Sequence, residues 1–448
     1  MKQESLNMLA EFVAKLKLTD LDANTIQHAK KVIRDTIAVI IAGSHEPQIS
    51  NLYELVRRNG SPQEATVFGR TDRVPCSFAA MVNAAAGSTK EFEEGNSLVF
   101  GHPAIQIVPS AIAVGETVSG AGRTVIEGLV VGYEIAGRIS RASKMRDGFH
   151  PSGTWGTIGA AVATAKVVGF SADEIAKVLN IASSFAISSN IENSFLGENI
   201  SEMYTALSNY FGILSYHLFR CGFSAAPDNL IVTFGKLVSE NFDEGVLLRD
   251  LGRKFLINKN YFKMYPSCRF SHSALEATEK ILGRTQVKPE TVESIEIRTY
   301  SQALHLENKD PRNVNAVRFS LPFLVAIALI RGKIDDEGII SYNDHISDIR
   351  ALSERVTIIE EKSYNVDSMK RPAYVKIHLT NGETLESFVN NCRGGNDSPF
   401  TEEELREKFR NLSRGVIGQE RCEKAIGLLE NLENLDDIRD ITELLRTG

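Results

Sequence analysis

Gly148-Phe-His-Pro-Ser-Gly-Thr-Trp-Gly156 runs directly into Thr157-Ile-Gly-Ala-Ala-Val-Ala-Thr-Ala-Lys-Val-Val-Gly169. The second half of this stretch is almost all Ala, Gly and small β-branched residues. A helix with such short side chains lies very close to its neighbours, so the stretch predicts a fold of tightly packed helices and a rigidly held loop before this one. Helix N-termini carry unpaired N–H groups and a partial positive charge that favour anions. His150, read at such a terminus, is placed to meet an acidic small molecule. A histidine that merely caps or packs is the alternative, and companions elsewhere in the chain decide between them.

Outward from this stretch, helical periodicity continues on both sides. Apolar residues at spacings of three and four mark Leu9 to Leu16, Ile26 to Ile41, Val108 to Val118, Val125 to Ile139 and Ala206 to Phe219. Ser171-Ala-Asp-Glu174 is a capping box opening a helix through Ala182. No alternating strand pattern stands out before about residue 255, so this part reads as a helical domain. The character changes after Pro266. Ser294 to Tyr300 and Ala373 to Leu379 alternate with period two, and Asn381-Gly382 joins the latter to Glu383 to Val389 as a hairpin. Arg355 to Glu360 reads as a further strand, and Ser271 to Leu282 and Phe319 to Gly332 read as helices, which together predict a smaller α+β unit. Thr401-Glu-Glu-Glu404 is a second capping box, starting a charged helical tail that most economically rejoins the first domain. The expected fold is therefore mainly α. A large, discontinuous all-helical domain (1–259 and 400–448) carries an inserted α+β lid (260–399).

A chain of 448 residues is well beyond a single core. Its net charge of −7 argues against nucleic acid or an anionic membrane as partner. The start, Met1-Lys-Gln-Glu-Ser-Leu, lacks an apolar signal core, and the longest apolar runs, such as Leu321 to Ile330, are too short to span a bilayer. A cytoplasmic location is expected. The five cysteines are scattered, without a C-x-x-C pair, so they read as reduced thiols rather than as a disulfide framework or zinc site. No H-E-x-x-H, Walker A or dinucleotide-binding pattern is present.

Three other segments match the polar density around His150. In Glu91-Phe-Glu-Glu-Gly-Asn96, the carboxylates of Glu91, Glu93 and Glu94 would repel one another if brought together, and repulsion or burial raises a pKa toward acid/base work. An exposed acidic turn is the alternative. Gly101-His102-Pro103 follows, its proline keeping His102 out of helix. In Lys263-Met-Tyr-Pro-Ser-Cys268, which leads to His272, the lysine stands among aromatic residues. It could pair with a substrate carboxylate, act as a base or snorkel to solvent. Cys268 reads as a buried structural thiol more readily than as a nucleophile. Gly197-Glu-Asn-Ile-Ser-Glu202 lies just before a helix. Histidines, a lysine and clustered acids without a metal or nucleotide motif suit proton transfer on a carboxylate-bearing substrate.

In this order the segments resemble the MmgE/PrpD family, which includes 2-methylcitrate dehydratases, cis-aconitate decarboxylases and an iminodisuccinate epimerase. The markers are Phe92-Glu-Glu with Gly101-His-Pro103, Val131-Gly-Tyr-Glu-Ile135 with Arg138, and Gly148-Phe-His-Pro with Gly159-Ala-Ala161. Lys263-Met-Tyr-Pro-Ser-Cys with His272, Phe319-Ser-Leu-Pro-Phe323 and Arg393-Gly-Gly complete them. The resemblance runs nearly end to end. It implies a helical domain closed by the C-terminal helices, a lid, an active site in the cleft between them and a homodimer. It also implies catalysis without metal or organic cofactor on a small di- or tricarboxylate. His150 and His102 would then be the acid/base pair, Lys263 would grip a carboxylate, and Glu91, where aspartate is usual, would orient a histidine or act as a second base. Glu94, Asn96, Ser201, Ser267, Cys268 and His272 would bind substrate.

Some positions depart from the family pattern. The usual acid-acid-Thr or Ser reads Glu93-Glu94-Gly95, leaving Asn96 or Ser97 to replace a hydroxyl. Ser201 falls near the place of a helical-domain lysine, and the lid tyrosine reads as Phe323. Loss of a lysine removes a carboxylate clamp and disfavours a tricarboxylate. The Glu91 to His102 spacing and the Pro-Ser-Cys look closer to the epimerase branch than to the decarboxylases. The expected activity is a cofactor-independent lyase of dehydratase or elimination type. The alternatives are an epimerase of a succinyl-type dicarboxylate, a cis-aconitate-type decarboxylase and a catalytically impaired carboxylate-binding homologue. His150→Gln and Lys263→Ala are each expected to abolish turnover with thermal stability nearly unchanged.

Overall fold

A computed structural model describes residues 2–59, 62–186, 189–367 and 369–447. Its architecture is mainly α, with a small mixed sheet. Two hydrophobic cores divide the chain. The first draws on residues from Leu6 to Phe262 and again from Leu405 to Leu445, and the second on residues from Cys268 to Val389.

The Trp155–Val167 helix is buried along its whole length. It packs between the Gly122–Ala142 and Glu202–Arg220 helices. Small residues are what permit this closeness: a Cβ on Gly156 would overlap the Gln106 side-chain amide. Both capping boxes form as expected. Ser171 caps Ala172–Ser183, and Thr401 caps Glu402–Ile417. The latter helix lies on Ala23–Gly43, tied to it by a buried Lys408–Asp35 ion pair at 2.7 Å, and so carries the chain back to the first core.

In the second core, Val292–Thr299 lies between a parallel partner, Val356–Glu360, and an antiparallel one, Ala373–Leu379. The last strand, Thr384–Val389, follows through the Asn381-Gly382 turn, where Gly382 adopts φ +83°. Ala373–Leu379 alternates buried and half-buried residues, as its period-two pattern requires. The His272–Leu282 helix covers this hairpin, and Leu321–Arg331 packs against that helix.

The helical part also holds two short strand pairs, Ala65–Thr66 with Arg73–Val74 and Ser143–Met145 with Ser239–Phe242. Elements of two to four residues are too short to show a period in sequence. The second pair leads straight into the His150 loop. No helix among the described residues is long and apolar enough to cross a membrane, and the cysteines are unpaired.

Candidate active site

The acidic segment and the lysine segment are stitched together. Gly95 N–H donates to the Tyr261 carbonyl at 3.0 Å, and Tyr261 N–H donates back to the Gly95 carbonyl at 2.7 Å. The absence of a side chain at 95 is structural, because a Cβ there would collide with the Tyr261 hydroxyl and lie 3.0 Å from His102 Nδ1. The hydroxyl missing from position 95 thus has a counterpart in Tyr261. Asn96 does not supply it: its amide donates to the Leu256 carbonyl, and its side-chain oxygen accepts from Leu98 N–H.

Lys263 is completely buried. Its Nζ donates to the Glu91 carboxylate at 2.7 Å and the Glu91 carbonyl at 2.9 Å, and lies 3.8 Å from Glu93. This double grip holds Glu91 at φ +49°, a strained conformation for a residue with a side chain. Burial would raise the Glu91 carboxyl, but Lys263 and His102 together hold it below its ordinary value. Burial dominates at Glu93 and, with the Glu91 charge, pushes it up to about 8. Two carboxyls on one segment are therefore pulled apart, one ionised and one protonated at neutral pH. Lys263 itself is raised by these acids against its own burial, so it is a fixed cation and not a base.

The histidines are held in opposite tautomers. His102 Nδ1 lies 2.7 Å from the Glu94 carbonyl, which can only accept, so Nδ1 carries the proton and Nε2 the lone pair. His102 Nε2 is 3.8 Å from the Glu91 carboxylate. At His150 the Ser152 N–H donates to Nδ1 at 3.0 Å, so Nε2 carries the proton. Burial lowers both rings to about 4, with Lys263 adding to the effect on His102 and His102 adding to that on His150. At neutral pH one uncharged imidazole offers a lone pair and the other an N–H. His150 stands before the helix and not at its end, since the first helical residue is Trp155. The helix dipole acts within the first turn and is not what positions it. Hydrogen bonds of the loop do so, among them His150 N–H to the Ser189 carbonyl at 2.7 Å.

A cavity of about 240 Å³ opens between the two cores, lined by Glu91, Asn96, His102, His150, Ser201 and Cys268 from the sequence-derived set. Lys263, Glu94, Ser267 and His272 lie behind its wall. Glu94 accepts from Ala104 N–H at 2.8 Å and is pushed up to about 8 by burial. Ser267 pairs with the Ser271 hydroxyl at 2.9 Å. His272 sits 3.2 Å from Arg269 Nη1, and burial together with that cation holds the ring well below its ordinary value. Cys268 is pushed up to about 12 by burial and by Glu91, and remains a thiol. Ser201 donates to the Glu198 carbonyl at 2.9 Å. Phe323 packs on Tyr342, away from the cavity.

Among the lining residues not singled out as site residues from sequence are Tyr261, Arg269, Arg318 and Arg371. Arg269 and Arg318 directly follow and precede segments that were singled out, so adjacency was an available signal. Arg371 has none beyond its position just before a strand. Donor atoms of Glu91, Glu93 and His102 come within 4.8 Å of one another, close enough for a metal ion. The Lys263 ammonium, however, already supplies a positive charge to this donor set.

The MmgE/PrpD N-terminal domain model matches residues 7–215, and the MmgE/PrpD C-terminal domain model matches residues 265–434. A cis-aconitate decarboxylase-like protein of Aspergillus oryzae is 23% identical over 93% of this chain and 92% of its own. A cis-aconitate decarboxylase of Aspergillus terreus is 22% identical, covering 98% and 95%, and one of Mus musculus is 24% identical, covering 96% and 91%. With both family models matched in order along the chain and the site segments gathered in one cleft, the protein belongs to the MmgE/PrpD family and is an enzyme of lyase type.

Proposed function

We propose that this cleft removes a proton beside a carboxylate of a small di- or tricarboxylate and expels a group from the neighbouring carbon, a dehydratase-type elimination. One observation carries the reading: two neutral, half-buried histidines of opposite tautomer line one cavity. His102 Nε2 accepts the C–H proton, and the electron pair becomes the new double bond. His150 Nε2–H donates a hydrogen bond to the departing oxygen as it takes up charge, and the proton held by His102 joins that oxygen to release water, which returns His102 to its neutral form. Glu91, ionised and locked by Lys263, faces His102 and stabilises the imidazolium that forms. A ring held at about 4 is a weak base in the empty site, but a bound polyanion raises it toward neutrality. No metal or organic cofactor is called for by this chemistry.

Decarboxylation is the second reading, supported by the names of the relatives in fungi and mammals. There the C–C bond to the departing CO2 breaks, and the electron pair left on carbon takes a proton from His102, which that ring has drawn from solvent beside the bound polyanion. Incubation with candidate acids in heavy water, followed by NMR, separates the readings. An unsaturated product with water lost supports elimination, and CO2 release supports decarboxylation. Exchange at carbon without net loss of substrate indicates epimerisation. His102→Gln and His150→Gln are each expected to lower turnover by about 10²–10⁴-fold. Full activity in either variant refutes the assignment.

A further inference from the structure

The charges around the cavity do not cancel. Lys263 is matched by Glu91 at 2.7 Å and Arg318 by Asp336 at 2.6 Å. Arg269 and Arg371 have no carboxylate within 4 Å among the described residues. Arg269, 4% exposed, stacks 4.4 Å over the Tyr261 ring. Its hydrogen bonds reach only the Cys392 and Arg393 carbonyls and His272, and its Nε is buried without a partner. Arg371, 9% exposed, lies over the same ring at 5.5 Å and over Phe270 at 5.1 Å. None of its nitrogens has a hydrogen-bond partner among the described residues, and Nη1 is buried. Leaving a buried guanidinium unpaired is costly, and its planar fork matches a carboxylate. Of the further acids on this cavity, Glu93 lies 3.8 Å from Lys263 and Glu202 is held at its own end by Gln48 and Asn315.

We propose that Arg269 and Arg371, sharing the Tyr261 ring, form a receptor for two carboxylates, so that the enzyme selects a dicarboxylate over monocarboxylates and tricarboxylates. This rests on the reading of the cavity as the active site, and it names the substrate class and the residues that choose it. The two arginines take the part of the absent helical-domain lysine. They do so from the opposite wall, on the second core's side of the cleft. A third carboxylate would find no free cation there and would face the Glu91 charge.

The test uses succinate, butyrate and tricarballylate, saturated acids with no leaving group, titrated calorimetrically into the full chain. Wild type is expected to bind succinate saturably, with butyrate and tricarballylate each weaker by at least about tenfold. Arg371→Met is expected to lose at least about tenfold in succinate affinity while keeping its circular dichroism, and Arg371→Lys to recover part of it. Should Arg371→Met fail to fold, the wild-type selectivity and Arg371→Lys decide the matter. Tricarballylate binding as tightly as succinate, no succinate binding to wild type, or unchanged affinity in a folded Arg371 variant each overturns the proposal. These probes undergo no chemistry. An active His102→Gln variant would therefore refute the elimination reading while leaving the receptor standing, and the reverse also holds.

Discussion

Lys263→Met removes the buried ammonium that stands between Glu91 and Glu93, and the structure sets the scale of the consequence. The side chain is wholly buried, with Nζ 2.7 Å from the Glu91 carboxylate and 3.8 Å from Glu93. Methionine roughly fills the lysine's volume, so the cavity contribution is small. Removing one partner of a buried pair costs about 3–5 kcal/mol because the other charge is stranded. From the sequence, Lys263→Ala is expected to leave stability nearly unchanged; full burial of the lysine predicts a cost instead. The cost also carries a pH signature. In wild type, Lys263 and His102 hold Glu91 below its ordinary value against burial, so this acid contributes stability present above its unfolded pKa and lost as pH falls through the folded one. Without the lysine, burial acts with less opposition and the Glu91 pKa rises. Its contribution then becomes a penalty that grows as pH climbs above the unfolded pKa. Thermal unfolding followed by circular dichroism should show a small deficit near about pH 5 and a larger one near about pH 8. Glu91→Gln added to Lys263→Met should recover part of the loss. A deficit that is absent, or equal at both pH values, refutes the reasoning.

The pH dependence of turnover should report the two cavity histidines. Both are held at about 4, so kcat/KM stays level through pH 6.5 on the acid side and falls only near pH 4. The acid limb of kcat should lie higher, because bound polyanion raises His102, and a kcat/KM limb near about 6.5 refutes the burial argument. Glu93 is held at about 8, so Glu93→Gln should retain stability at neutral pH and abolish any basic limb near that value. A large drop in melting temperature at pH 7 would show that Glu93 is ionised. Gly95→Thr, which restores the residue type usual in the family, should cost stability and activity together by driving into Tyr261. Unchanged melting and turnover would exclude that crowding. Dialysis against a chelator should leave turnover unchanged, with Lys263 supplying the cation beside Glu91 and Glu93. Loss restored by a divalent ion would reassign that acid–histidine cluster.

Local chemistry was readable from the chain. The capping boxes at Ser171 and Thr401, the Asn381-Gly382 hairpin and the small-sided helix after Thr154 each depend on residues within a few positions of one another. The order of the site segments was readable too, and it pointed to the family. Charge state and facing were not. Glu91, Glu93 and Glu94 could equally have formed an exposed turn, and only packing against Lys263, Tyr261 and the Lys408 helix buries Glu93 and Glu94 and half-buries Glu91. The tautomers of His102 and His150 come from partners, the Glu94 carbonyl and the Ser152 N–H, whose geometry follows from the folded loops. Arg371, with no motif around it, reaches the cavity only because the sheet brings its loop beside Tyr261 and Phe270. Local propensity acts over a turn or a hairpin. Burial and charge pairing, which set pKa values and leave two arginines without a carboxylate, arise from contacts between residues far apart in the chain, and only the tertiary structure decides them.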